Sequence, residues 1–390
     1  MENKYQKIIK LVNASLNNEV FNETLTSEEY QIIKDNQLVG LVFDSLDSSL
    51  IEEELYKKIK LSYYQYISID EAQRNIIEEL KIIFNEEEID YVFLKGSFLK
   101  TIYPNSYMRA MGDIDVLVRS FEMERIHEIL EKHKFKNWSN STNHDCFMKN
   151  KVNVEIHPKL DSNIEGEYKD LFIDSWKYTE KKDSHEFVLR NEYNFFYQIY
   201  HMIKHLYHSG VGYRTLVDLK IFLERLENSF DEKIFLEVFS KFPNKDFVEN
   251  LAIIINEVFS SSLLKNYVKN DIVEKDVFEN FIEYLFVSGS HGVGEEHNLF
   301  IGDIAKKHKK KQWIVFTKIK FLFLKTFLGL DSMRGMYKYL RKYPFLLPIA
   351  WIQRFFKLLF KKSSRRKLLR LSVKKSEIIK VEELFNKLGI

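Results

Sequence analysis

The chain has 390 residues, enough for two or three domains around real cores, and its 13 Gly and 5 Pro against abundant Leu, Ile, Phe, Lys and Glu favour long helices over a loop-rich, all-β or disordered protein. Its one cysteine, Cys146, excludes an internal disulfide and argues against a thiolate zinc site. The formal charge of +2 hides a polarity: residues 305 to 375 carry 22 Lys and Arg against one acid, Asp331, a net of +21 that calls for an anionic counterpart.

Residues 1–86 read as a helical N-terminal region. The start "MENKYQKIIK" carries charges where an export signal would place an apolar run, and no stretch of about 18 uncharged apolar residues follows anywhere. The expected location is therefore the cytoplasm. "TSEEYQIIKDNQLVGLVFDSL" opens on a capping-box-like Thr26/Ser27 start, with apolar residues at helical spacing.

Residues 87–165 change pattern. "YVFLK" reads as a strand, "GSFLKTIY" as a short helix, "DIDVLV" as a strand and "FEMERIHEILEKH" as an amphipathic helix. "DCFMKN" and "KVNVEIH" then form a strand pair around an Asn150 turn. From 166 to 304 helical periodicity returns, through "NEYNFFYQIYHMIKHLYHSG", "RTLVDLKIFLERLE" and "KDFVENLAIIINEVFSS". Tyr193, Phe196, Tyr197 and Tyr200 recur at helical spacing and read as core, the other reading being that one of them stacks on a nucleotide base. "SGSHGVGEEHN", at 288 to 298, lacks both a Walker ending and a G-x-G-x-x-G fingerprint, so it reads as a helix-to-helix connection. Residues 305–390 interleave bulky apolar residues with Lys and Arg, and "SEIIKVEELFNKLG" closes the chain as a short helix. This basic region suits a helix on anionic lipid, at the inner membrane face, or one docked on the acidic body; nucleic acid is a third partner.

Chemistry concentrates in "GDIDVLV". Residues i and i+2 of a strand share a face, so Asp113 and Asp115 project together and repel. Two Asp at a strand start can simply face solvent or cap a helix, but a divalent cation is the usual relief for such a pair. Three neighbours favour the cation. Gly96-Ser97 follows a strand and opens a helix, as phosphate sites do. Alternation in "VNVEIH" puts Asn153, Glu155 and His157 on one face, so Glu155 joins the aspartates if the strands are neighbours. Arg109 and Lys95 add positive charge suited to a polyphosphate, although Lys95 equally reads as a solvent-facing strand end.

A strand, Gly-Ser at a helix start, an Asp-x-Asp strand and a later carboxylate together resemble the signature of the DNA polymerase β-like nucleotidyltransferase superfamily. More narrowly, "LKG…YP…R…GDIDVLV" with "VEIH", and "HMIKH…G…R…VDL" further on, are similar to the bacterial uncharacterised nucleotidyltransferase family found in polysaccharide and peptide-tailoring gene clusters. The resemblance implies an α+β, mostly helical fold: a small α/β catalytic unit with a mixed sheet, flanked by helical N-terminal and C-terminal regions. It implies that Asp113, Asp115 and Glu155 hold two Mg²⁺ ions, with Mn²⁺ as a substitute, and that Ser97 and the N–H groups around Gly96 hold the phosphates of an NTP such as ATP. The implied reaction moves an NMP to a hydroxyl or phosphate acceptor, a sugar, glycan precursor or modified peptide, and releases pyrophosphate. The same chemistry serves RNA- or protein-modifying enzymes and toxins, and a degenerate site would leave a nucleotide-binding module without catalysis.

His201 and His205 lie i, i+4 on a helix but lack the Glu that a zinc hydrolase helix needs. The resemblance suggests instead that Lys204 or His205 contacts the triphosphate and that Arg214 and Asp218 form an i, i+4 pair. The other reading of this cluster is aromatic-rich packing around partly buried His.

Overall fold

The computed structural model describes residues 1–140, 144–161, 164, 166–208, 210–227, 229–262, 264–268, 272–290, 302, 323, 326–337, 339–360 and 375–390. The glycine-bearing segment from 291 onward, and most of the basic stretches 303–325 and 361–374, lie outside the described residues.

Helices α1 (Asn3–Leu16), α2 (Ser27–Asp35) and α3 (Val39–Val42) open the chain. The expected capping box is present at α2. The Glu29 N–H donates to Thr26 Oγ1 at 3.2 Å and the Thr26 N–H to Glu29 Oε2 at 2.8 Å, satisfying two N-terminal donors that the helix itself cannot. Helix α4 (Glu53–Glu86) is 34 residues long, about 51 Å at helical rise. Its apolar residues recur every three or four positions, but they serve two cores. Leu55, Ile59 and Tyr63 join the helical body, whereas Ile76, Leu80, Ile83 and Phe84 pack beneath the sheet.

The sheet follows. Strand β1 (Tyr91–Phe93) leads through α5 (Lys95–Leu99) to β2 (Asp113–Val118), and α6 (Met123–Lys132) leads to β3 (Lys136–Asn140), β4 (Asp145–Lys149) and β5 (Val152–His157). After α7 (Lys169–Phe172) come β6 (Thr179–Lys181) and β7 (Glu186–Leu189). Among the described residues these form one seven-stranded mixed sheet in the order β3-β4-β5-β2-β1-β7-β6. The β4–β5 turn is the expected one at Asn150. Asn150 and Lys151 both have positive φ, 51° and 65°, the backbone that a two-residue turn needs to match strand twist.

Strands β3, β6 and β7 were not legible as strands. "KNWSN" and "TEK" lack apolar alternation, and four-residue "EFVL" is too short to separate from the helical pattern around it; neighbouring strands hold them extended. The sheet thus continues to Leu189, into the stretch read as wholly helical.

Helices α8 (Asn191–His208), α9 (Arg214–Glu227), α10 (Glu232–Lys241), α11 (Lys245–Phe259) and α12 (Lys275–Ser288) form the helical body. Tyr193, Phe196, Tyr197 and Tyr200 are buried, as their spacing predicts. Helices α13 (Leu330–Met336), α14 (Tyr339–Lys342) and α15 (Leu347–Phe360) enclose a small core of Met333, Leu340 and Ala350. Helix α16 (Lys375–Leu388) returns to the body, where Ile378, Leu384, Phe385 and Leu388 join the same apolar cluster as Tyr5 and Ile8 of α1. Among the described residues no helix is long and apolar enough to cross a membrane.

Candidate active site

The two faces of the central strands divide the labour. Ile114, Val116 and Val118 of β2, with Val152, Val154 and Ile156 of β5, pack on α4 and α6. Their alternates, Asp113 and Asp115, and Asn153, Glu155 and His157, point the other way. β2 and β5 are parallel neighbours in the register Asp113↔Asn153 and Asp115↔Glu155, so Glu155 lies directly beside Asp115. This is the adjacency on which the grouping of the three carboxylates depended.

The three acids do not experience the same field. Burial would raise the carboxyl of Asp115, but Lys95 and His157 outweigh it and hold it below its ordinary range. Lys95 Nζ is 2.7 Å and His157 Nε2 2.9 Å from Asp115 Oδ1. Burial likewise opposes the charge of Lys95, yet the Asp115 carboxylate keeps its ammonium above the ordinary value. Asp113 behaves oppositely: burial, then the charge of Glu155, push its carboxyl up. Cys146, the cross-strand neighbour of Glu155 on β4, is pushed up to about 12 by burial and that carboxylate, so it remains a thiol.

A cavity of about 340 Å³ opens in front of these groups, walled by Lys95, Gly96, Arg109, His201, His205 and Arg214 among others. Lys95 reaches it from a left-handed backbone conformation, φ 46°, that a non-glycine residue seldom adopts. Gly96 is needed at its position for a reason its motif did not reveal. A Cβ there would stand 2.7 Å from both Arg109 Nη1 and Met111 Cγ, so the glycine lets the 109–112 loop lie against α5. Ser97 is buried, with its hydroxyl 3.5 Å from Met111 Sδ, and it lines a separate cavity of about 630 Å³ together with Gln73 and Lys100.

Arg109 is buried in a fork with Asp218 of α9, its Nε donating to Oδ1 at 3.0 Å and Nη2 to Oδ2 at 3.1 Å. The Tyr103 hydroxyl donates to the same Oδ1 at 2.7 Å. Arg214 stands in the expected i, i+4 relation to Asp218, but at 3.9 Å; it donates instead to Ala110 O at 2.8 Å and to Gln37 Oε1. The carboxylate of Asp218 therefore clamps the 103–110 loop to the helical body. His205 lines the cavity beside His201, their Nε2 atoms 3.1 Å apart. Lys204 turns elsewhere and pairs with Asp161.

Two residues escaped the sequence reading of the site. His157 had a usable signal, since alternation put it on the face of Glu155. His144 had none: it precedes β4, and only the β4–β5 pairing brings its Nε2 to 3.4 Å from Glu155 Oε1.

Neighbouring carboxylates facing a cavity rimmed by Lys and Arg are the equipment of a phosphate-handling transferase. The family can be stated more closely: residues 23–260 match the model of the family described as uncharacterised nucleotidyltransferase, and the chain belongs to it. It is the family that the motifs resembled, and the match spans the sheet together with α2 through α11. No curated protein and no solved structure matches the chain.

Proposed function

We propose that the chain transfers an NMP from an NTP to a hydroxyl or phosphate acceptor, with release of pyrophosphate. The observation that carries this reading is the register that sets Asp115 beside Glu155, with Asp113 two residues earlier on the same face of the cavity. The donor set fits Mg²⁺ or Mn²⁺. Its oxygens suit hard cations, and burial beside Glu155 presses Asp113 toward its neutral form, the mark of a site short of positive charge. Asp113, Asp115 and Glu155 would hold the ions, which when bound supply charge neutralisation for the departing pyrophosphate and acidify the acceptor hydroxyl. Lys95 and Arg214, on the cavity wall, face the region where a polyphosphate would lie. Arg109 contributes through its loop, because Asp218 already matches its charge.

The test supplies the purified chain with Mg²⁺, NTPs labelled at the α-phosphate, and separate pools of total RNA, protein, and lipid-linked and soluble glycan precursors. Label in a glycan-precursor or peptide fraction, with matching pyrophosphate, is the expected result. Label in RNA or in whole proteins selects the corresponding rival acceptor. NTP binding without pyrophosphate release in any pool would overturn the transferase reading.

A surface at the C-terminal end bears on where the acceptor is met. Phe345, Ile349, Ile352 and Phe356 recur at helical spacing along one stripe of α15 and its lead-in, between 49 and 74 % exposed. The opposite face, with Ala350 and Trp351, packs on α13 and α14. An apolar stripe within a segment of net +21 suits the interface of an anionic bilayer, whose headgroups match the charge while the stripe enters the acyl boundary. The full chain should co-sediment with vesicles of phosphatidylcholine and phosphatidylglycerol, less so in high salt, and weakly with phosphatidylcholine alone. The pair Ile352→Glu and Phe356→Glu should lower that binding about tenfold or more. Equal partitioning of the wild-type and substituted chains would remove α15 as the contact.

A further inference from the structure

Beside the aspartate pair lies a cluster of different chemistry. His144 Nε2 is 3.4 Å from Glu155 Oε1, and His157 Nε2 is 3.4 Å from Glu155 Oε2. One ligand atom from each of the three residues falls within 4.8 Å of the other two. The two imidazole rings stand 5.0 Å apart, centroid to centroid, tilted by 45°. We propose that His144, Glu155 and His157 form a cation position that takes a borderline transition ion, Zn²⁺ before others, in preference to Mg²⁺.

Three observations carry the proposal. The first is distance. Each imidazole nitrogen stands 3.4 Å from its own oxygen of Glu155, longer than a good N–H···O hydrogen bond and close to the separation of two neighbouring ligand atoms that each lie about 2.1 Å from a shared ion, the usual Zn–N and Zn–O length. The second is ligand type. Mg²⁺ takes oxygen donors and sheds its waters reluctantly, whereas imidazole nitrogen favours Zn²⁺ and its neighbours in the transition series. Two imidazoles and one carboxylate are the ligand set of catalytic zinc sites that keep a fourth position open.

The third is the frame. Glu155 and His157 are alternate residues of β5, and His144 leads into β4, which is paired with β5 in the register Asp145↔Ile156. Two of the ligands thus stand on β5, and the third directly precedes the strand paired with it, so little ordering opposes binding. Binding at His157 Nε2 would displace the proton it shares with Asp115 Oδ1, 2.9 Å away, which Lys95 also holds at 2.7 Å. Glu155 is shared with the proposed Mg²⁺ ligands, and in that respect the inference rests on the reading above. The cation position itself needs neither NTP nor turnover.

Binding is therefore measured without substrate. The full chain, stripped with chelator, is titrated calorimetrically with Zn²⁺ in the absence and presence of a large excess of Mg²⁺, and its Co²⁺ form is examined by visible absorption. One equivalent of Zn²⁺ that Mg²⁺ does not displace, and a Co²⁺ spectrum of four-coordinate intensity, are expected. His144→Ala should weaken Zn²⁺ binding about tenfold or more and erase that spectrum. His144 is half-buried and its removal leaves the core intact, so the result does not depend on whether the more buried His157→Ala folds. His201→Ala should leave both signals unchanged, since its pair with His205 lies outside the cluster. Absence of Zn²⁺ binding, displacement by Mg²⁺, indifference to His144→Ala, or loss in His201→Ala would each overturn the proposal. Failure of nucleotidyl transfer with Zn²⁺ binding intact would instead strike the transferase reading alone.

Discussion

Asp115→Asn and Asp113→Asn should both abolish Mg²⁺-dependent transfer, by on the order of a thousandfold or more, yet only Asp115→Asn should destabilise the fold. Loss of transfer follows from removing a carboxylate oxygen from the face where charge must be bound. The difference in stability follows from their neighbours. Asp115 is the buried counter-charge of Lys95 and the acceptor from His157. The asparagine would leave the half-buried Lys95 ammonium without its carboxylate, a loss of about 2 kcal/mol. Asp113 is pressed toward its neutral form by burial and by Glu155, so an uncharged isostere there should leave the unfolding midpoint unchanged or slightly higher. Turnover and urea denaturation of both variants check this pair of outcomes. Near-normal turnover in both would remove the metal-ligand assignment, and equal destabilisation would remove the account of their different fields.

Asp218→Ala should be among the most destabilising single substitutions in the chain, by on the order of 4 kcal/mol. One carboxylate accepts from both arms of Arg109 and from Tyr103, and all three residues are buried. Its loss would strand a guanidinium and a phenol away from water while Arg214 lies close by. The double variant Arg109→Met with Asp218→Ala should be more stable than Asp218→Ala alone, because Arg214 is then the one guanidinium of the pair that has lost a nearby carboxylate, rather than both. Urea denaturation of the single and double variants measures the coupling. A loss under about 1 kcal/mol for Asp218→Ala would show that the 103–110 loop is held by other contacts. Because the clamp also shapes one wall of the cavity, the KM for NTP should rise more than kcat falls when it is loosened conservatively, as in Arg109→Lys.

The site was legible where its signal was local. Alternation put Asp113 with Asp115, and Glu155 with His157, before any strand order was known. The Asn150 turn and the Thr26 capping box are likewise decided within four residues of chain, where backbone sterics and single hydrogen bonds dominate. Ser97 and Lys204 show the limit of such reasoning. A Gly-Ser at a helix start reads as phosphate-binding, but Ser97 packs on Met111 because the 109–112 loop folds over α5. Lys204 sits one residue from His205 yet turns to Asp161, since adjacent residues of a helix point about 100° apart.

By itself, then, the sequence determined the periodicities: a mostly helical chain around a small α/β unit, the acidic face of β2, and the family these motifs announce. The tertiary structure alone decided what depends on residues far apart in the chain. It set β5 beside β2 and β7 beside β1, matched Arg109 to Asp218, and brought His144 and His157 to the two oxygens of Glu155. The physical reason is one of range. Dihedral preferences and face alternation act over a few residues and leave their mark on composition, whereas a buried charge takes its partner from whichever strand or helix the packing of the cores places against it.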